Sequence, residues 1–271
     1  FLQNKSQAGQ VKDEVTHAIF SSIVAAQLSV GQNIRDAEEV MVCAMFHGLG
    51  RILSAYYFFE ESREVARRVE RGEREAKAAL KVLGITYADL GAGVARSWNF
   101  SPRLLAGMSK LETIKAGKSE LDNLTATVNL ANELCDALKS DKVSATGARE
   151  RLFAELIKRY APAIKVSDNQ LGKALDTGLS EFARRAAILG LTPGRMPLLD
   201  KLKALNGKPS GDATITPAAD DPLQGAGRLE QTVIQPVEDM AEGARPANPE
   251  LVLGAGIQDV TNSLDRKSTR L

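Results

Sequence analysis

Residues 40–59 constrain the fold more than any other part of the sequence, because they are apolar along almost their whole length. An apolar segment without a polar face predicts a helix that is buried in the core of a protein. His47, Gly48, Gly50 and Arg51 interrupt this segment. A glycine inside a helix costs about 1 kcal/mol relative to alanine. The two glycines therefore indicate either close packing between helices or a functional site.

Helical periodicity continues through the first 206 residues, and turn or capping residues separate the periodic segments. The spacing of apolar residues predicts helices at about residues 11–28, 40–59, 60–70, 73–83, 87–98, 102–111, 120–139, 145–160 and 167–189. We expect helix caps at Asp36, Gly84, Thr86 and Ser101, the last with Pro102 at the first helical position. No segment shows the alternation of a strand, so the predicted fold class is all-α.

The composition is that of an ordinary globular protein, with 44% hydrophobic and 25% charged residues. The net charge of +1 indicates neither nucleic acid nor a membrane as a partner. No charge-free apolar run reaches the roughly 18 residues of a membrane span, and the sequence does not open with a signal peptide. We therefore expect a cytoplasmic protein. Cys43 and Cys135 lack CxxC spacing, which favours buried reduced thiols over a disulfide or redox pair.

The composition changes after residue 206. Six of the ten prolines lie between residues 207 and 249, and residues 207–265 carry 3 Lys+Arg and 10 Asp+Glu. A Pro-rich, acidic segment without aromatic residues predicts a disordered linker over 207–249. Residues 250–265 regain helical spacing and resemble the first helix of a truncated downstream module, such as a GAF domain. The last six residues, 266–271, resemble a translated sequencing or cloning remnant.

The two histidines, His17 and His47, could meet if consecutive helices pack antiparallel. Two imidazoles could contribute to a metal site, but a catalytic divalent ion usually needs at least three protein ligands. No carboxylate follows His47, because residue 48 is glycine. The residues alone therefore favour a structural role for each histidine over a metal site.

Other candidate motifs are weak. The Gly-x-Gly matches at 91–93 and 254–256 do not follow a strand, so they do not predict a nucleotide-binding loop. Trp98 could stack on a ligand, but an aromatic residue at this position is more often a core or helix-end anchor. No grouping of serine, cysteine or carboxylate with histidine indicates nucleophilic or acid–base catalysis.

Three pieces of the sequence resemble the HDOD family: MFHGLGR at 45–51, GITYADLG at 84–91 and VARSWNFSP at 94–102. HDOD domains are all-helical, degenerate relatives of the HD-type metal-dependent phosphohydrolases and are found in bacterial signalling proteins. The resemblance covers residues 1–112 and implies the C-terminal half of such a domain, a partial HD-like helical bundle. We expect that the family's N-terminal helices precede residue 1 and that residues 117–206 form an appended helical segment.

The resemblance argues against catalysis. In active HD enzymes, a histidine on an early helix, a His-Asp pair and a later aspartate hold the metal. His17 matches the first histidine and His47 matches the histidine of the pair, but Gly48 stands where the aspartate would be. Losing this carboxylate removes a ligand and a negative charge that a divalent ion needs. The resemblance therefore implies no catalytic, cofactor-binding or metal-binding residue, and His17 and His47 are only vestigial candidates.

Three further positions depart from the family pattern. Arg51 stands at the lysine-like position, Tyr87 stands where relatives often carry histidine, and residues 109–110 fall near a histidine pair of relatives. The resemblance implies a non-catalytic domain of bacterial signal transduction. Its partners would be other signalling proteins or domains of the same polypeptide. The alternatives are a residual metal-dependent HD-type phosphohydrolase and a cyclic-dinucleotide-binding module.

Overall fold

The computed structural model describes residues 5–139 and 147–188. These residues form helices without any strand, which confirms the all-α prediction for the described part of the chain. The helices are α1 (Lys5–Ser29), α2 (Ala37–His47), α3 (Leu49–Tyr57), α4 (Phe59–Glu70), α5 (Glu75–Leu83), α6 (Tyr87–Ser97), α7 (Pro102–Gly107), α8 (Glu120–Lys139), α9 (Ala148–Tyr160) and α10 (Asp168–Ile188).

The predicted helix caps are confirmed. The Asp36 carboxylate accepts hydrogen bonds from the backbone N–H groups of the first turn of α2. The Thr86 and Ser101 hydroxyls accept backbone hydrogen bonds at the start of α6 and α7, and Pro102 takes the first position of α7. Gly84 ends α5 with a φ of 74°, a left-handed conformation that glycine adopts without steric cost. These caps use local contacts, and therefore sequence spacing alone locates them.

The prediction of one continuous helix over residues 40–59 was wrong. Helix α2 ends at His47 and α3 begins at Leu49, with Gly48 between them at φ −87° and ψ 5°. The Gly48 N–H bonds to the Phe46 carbonyl, while the Gly48 carbonyl accepts hydrogen bonds from the first turn of α3. Glycine has weak helical propensity, so the chain turns there although the apolar pattern continues. A second break at Phe58 separates α3 from α4.

A single hydrophobic core joins α1 and α2 to α8, α9 and α10. Its largest fully buried side chains include Phe20, Leu124, Leu134, Phe153 and Phe182. Of the helices predicted as an appended segment, α8 and α10 pack directly on the first helices, and α9 packs on α8 and α10. The boundaries at 112 and 117 stay predictions. The expected linker at 207–249, the helix at 250–265 and the remnant at 266–271 lie outside the described residues.

Helices α3 and α6 approach so closely that their backbones touch. A Cβ atom added to Gly50 would lie 1.8 Å from the Tyr87 carbonyl oxygen, and one added to Gly91 would lie 2.9 Å from the Gly50 nitrogen. The expectation that Gly50 lets helices approach is confirmed. The same expectation for Gly48 was wrong, because a Cβ atom there would meet nothing within 4 Å. Gly48 ends a helix, whereas Gly50 is required by packing.

Within the described residues, no single helix is long and apolar enough to cross a membrane. Helices α5 and α6, bent by 68° at their junction, meet that length and composition only when they are taken together.

Candidate functional site

A cavity of about 580 Å³ lies where α1, α3, α4, α5 and α8 meet. His47, Arg51, Tyr87 and Lys110, four of the positions that the sequence singled out, all line it. The cavity also receives Glu75 and Asp136, which sequence reasoning did not select. Residues that are far apart in the sequence therefore converge on one polar cavity.

His17, on α1, contacts the cavity residue Asp136. Its side chain is only 2% exposed, and its Nε2 atom lies 3.1 Å from Oδ1 of Asp136 on α8. This pairing gives the buried imidazole a carboxylate partner. His17 and Asp136 therefore connect α1 to α8.

Arg51 occupies the centre of the site. Its Nη1 and Nη2 atoms donate hydrogen bonds to the two oxygens of Asp136, at 2.7 and 3.0 Å. Its Nε and Nη2 atoms donate to the two oxygens of Glu75, at 2.8 and 3.1 Å. Bidentate bonds between a guanidinium and a carboxylate are among the stronger and more directional polar contacts in proteins. Arg51 therefore holds one carboxylate from α5 and one from α8.

The charges of this cluster stabilise one another. Burial by itself would raise the pKa of Asp136, but the Arg51 guanidinium and His17 hold that pKa well below its usual range. Burial likewise opposes ionisation of Glu75, and Arg51 again lowers the pKa of the carboxyl. Burial would lower the pKa of Arg51, but Asp136 and Glu75 keep it well above its usual value. All three groups are therefore charged at neutral pH, and the Lys110 ammonium, 3.5 Å from Glu75 Oε2, adds a second positive charge.

His47 is held in one tautomer at the edge of the cluster. Its Nδ1 atom lies 2.9 Å from the Met108 carbonyl oxygen. A carbonyl only accepts hydrogen bonds, so Nδ1 carries the proton and Nε2 has a free lone pair. Burial lowers the pKa of His47 to about 4, and the nearby Arg51 charge acts in the same direction. The ring is therefore neutral at physiological pH.

The residues present do not fit a divalent metal ion. Both oxygens of Asp136 already accept hydrogen bonds from Arg51, and Gly48 supplies no carboxylate next to His47. A metal here would also meet the fixed positive charge of the guanidinium. In the part of the chain that the structure describes, no three His, Cys, Asp or Glu side chains are grouped so that they could hold a metal.

Asp136 and Glu75 lie 85 and 24 residues from Arg51, and no local motif links them to it. The one available sequence feature was the position of Asp136 between Cys135 and Leu138 in a largely apolar helix, where an unpaired carboxylate would be costly. Such a position predicts a partner but does not identify it. Glu133, another acidic residue of α8, binds Tyr160 and Arg159 of α9 at the rim.

One segment of the chain matches a known protein-domain family. Residues 2–113 match the model of the HDOD domain. This segment belongs to the HDOD family. The match confirms the resemblance that the motifs between residues 45 and 102 indicated, and it makes this part of the chain HD-related. The HDOD match ends before α8, so Asp136 lies outside the matched residues.

The comparison with solved structures gives a partial match. The match is to the crystal structure of a candidate phosphohydrolase from Shewanella amazonensis SB2B, with a TM-score of 0.47 and 20% sequence identity. The match covers 72% of this chain and 64% of that protein, so the chain spans less than two thirds of its length. No curated protein matches the chain.

Proposed function

We propose that this HDOD segment, with α8–α10, is a non-catalytic regulatory domain of bacterial signal transduction that acts through contacts with other proteins or domains. The Arg51 guanidinium carries this proposal. It is bound by Asp136 and Glu75 beside the two histidines that the HDOD resemblance matches to metal ligands.

The pairing of Arg51 opposes hydrolytic chemistry for two reasons. A metal-dependent phosphohydrolase needs a bound divalent ion that lowers the pKa of water and polarises the phosphoryl group. Displacing Arg51 from its carboxylates would leave a cation unpaired in a half-buried site, which typically costs several kcal/mol. The domain therefore has a salt-bridged centre in place of a site for activating water.

Exposed aromatic side chains support the protein-binding part of the proposal. Tyr57 and Trp98 are 50% and 43% exposed, and aromatic residues are enriched at protein interfaces. Trp98 ends α6 and packs against Phe100, which in turn packs edge-on against Phe46. It thus anchors a helix end, as the sequence favoured, and also presents part of its ring to solvent.

Metal content and hydrolysis test the non-catalytic part of the proposal. The purified chain should contain no stoichiometric Mn, Fe or Zn by elemental analysis. It should also not hydrolyse bis(p-nitrophenyl) phosphate faster than buffer in the presence of these metals. Stoichiometric metal that disappears in His47→Ala, together with metal-dependent hydrolysis, would overturn the proposal.

The protein-binding part has its own test. Trp98→Ala should weaken capture of a signalling partner by the immobilised chain, because it removes an exposed aromatic contact. Val30→Ala is the matched control, since Val30 is an exposed apolar residue on the turn after α1. Equal capture by both variants would count against an interface at Trp98.

A small-molecule-binding role is the second candidate, because the cavity has the size of a ligand site. Its basic groups argue against an anionic ligand such as a cyclic dinucleotide. Arg51 and Lys110 pair with Glu75, Lys139 pairs with Glu14, and Arg159 pairs with Glu133. We therefore expect no thermal stabilisation by cyclic dinucleotides; a saturable increase in Tm would favour this second role instead.

A further inference from the structure

We infer that Arg51 replaces a metal ion as the internal cation of this domain, and that removing its guanidinium opens a divalent-cation site between Asp136 and Glu75. The inference goes beyond the proposed function. A non-catalytic role requires only that no metal is bound. Here we infer in addition that the Arg51 side chain excludes a metal and links the helices that a metal would otherwise link.

The geometry places two carboxylates around one cation. Oδ2 of Asp136 and Oε2 of Glu75 both accept hydrogen bonds from Nη2 of Arg51, at 3.0 and 3.1 Å. These two oxygens therefore lie within about 6 Å of each other. A bridging metal would need them somewhat closer, because metal–oxygen distances are about 2.0–2.6 Å. Glu75 lies in the first turn of α5, where its side chain can move toward Asp136 once the guanidinium is gone.

The charges make this movement favourable only when a cation is added. Without Arg51, two ionised carboxylates would face each other in a half-buried cavity, with Lys110 beside Glu75 and His17 beside Asp136. Like charges at this separation repel each other more strongly than they would in water. A divalent ion supplies more positive charge than the lost guanidinium and binds oxygen directly.

The further ligands would be two imidazoles, one that contacts Asp136 and one that lines the same cavity. His17 Nε2 already contacts Asp136, and His47 is neutral with the lone pair of Nε2 free. Mixed carboxylate and imidazole ligands suit Mn²⁺ and Zn²⁺. In the native arrangement of the described residues, no three such groups lie close enough for a metal. The site therefore depends on the collapse of the carboxylates that Arg51 now holds apart.

The same cation links four helices. Arg51 on α3 binds α5 through Glu75 and α8 through Asp136, and Asp136 in turn contacts His17 on α1. A metal ion with ligands on these helices would join them in the same way. In this chain the linking cation is a side chain of α3, so every folded molecule contains it whether or not metal is available.

The test compares thermal unfolding of the full chain with EDTA, MnCl₂ or ZnCl₂. Wild type should melt at the same temperature in all three conditions. Arg51→Met keeps a long side chain but removes the charge; it should melt earlier in EDTA and gain a saturable increase in Tm with Mn²⁺ or Zn²⁺. The double variant Arg51→Met/Asp136→Asn should lose this increase. Arg51→Lys keeps a charge and should show no metal response.

Each outcome decides the inference. A metal response of Arg51→Met no larger than that of wild type would overturn it, and so would an equal response in the double variant. If Arg51→Met is unfolded in EDTA, circular dichroism at 222 nm should report refolding when Mn²⁺ is added, and failure to refold with either metal overturns the inference. Failure of this test leaves the non-catalytic function intact, which fails only if wild type itself holds metal and hydrolyses phosphoesters.

Discussion

The contact between α3 and α6 gives a sharp prediction for Gly50→Ala. The added Cβ atom would lie 1.8 Å from the Tyr87 carbonyl oxygen and 2.7 Å from its carbonyl carbon. A close carbon–oxygen contact is normally about 3.3 Å or longer, so the two backbones must separate by roughly 1.5 Å. Both atoms belong to the backbone of α6, and no side-chain rotation can relieve the clash.

The expected loss of stability follows from this separation. Overpacking a well-packed region typically costs about 1–3 kcal/mol, and a clash between two backbones falls at the upper end of that range. For a domain of this size, about 3 kcal/mol corresponds to a decrease in Tm of roughly 6–12 °C. Arg51 follows Gly50 directly, so the shift should also loosen the bonds from Arg51 to Glu75 and Asp136.

Gly48→Ala is the matched control, two residues away in the same segment. A Cβ atom at Gly48 meets nothing within 4 Å, and its φ of −87° is open to any residue. We expect its stability to stay within about 1 kcal/mol of wild type. Urea and thermal denaturation followed at 222 nm would measure both variants. Equal stability of Gly50→Ala and Gly48→Ala would refute the assignment of Gly50 to helix packing.

Three further predictions concern single groups. Burial lowers the pKa of His47 to about 4, so as the pH falls the unfolded chain binds a proton at His47 before the folded chain does. The free energy of unfolding should therefore decrease between about pH 6.5 and pH 4, by at most about 3 kcal/mol. His47→Gln should flatten this part of a Tm–pH profile. Thr86→Ala removes the cap of α6 and should cost about 1 kcal/mol in urea unfolding, whereas Thr113→Ala, outside any helix, should cost little. Burial raises the pKa of Cys43 and Cys135 to about 12, so neither should react with Ellman's reagent at pH 8 until urea unfolds the chain.

Sequence patterns located most of the helices because the determinants of helix ends are local. Asp36, Thr86 and Ser101 each act on backbone groups two or three residues away, and their spacing is visible in the sequence. The break at Gly48 was missed because the apolar pattern runs through it, and hydrophobic periodicity does not report where a backbone bends. The close approach at Gly50 depends on α6, which the pattern could predict as a helix but could not place.

The site was only partly predictable for the same reason. His17, His47 and Arg51 were selected by residue type and by resemblance to a family motif. Asp136 and Glu75 complete the charge cluster, yet each is an ordinary acidic residue within its own helix. Their role depends on a shared cation, and only the packing of α5 and α8 around α3 brings them to it.

The open space at Gly48 bears on how such a domain can change in evolution. The junction between α2 and α3 leaves room at position 48, since a Cβ atom there meets no neighbour within 4 Å. One nucleotide change converts a glycine codon into a codon for aspartate or glutamate, so a carboxylate could arise at position 48 by one mutation. Arg51 is held by four hydrogen bonds to two carboxylates. Position 48 is therefore the easier of the two to change, and Arg51 is the harder one.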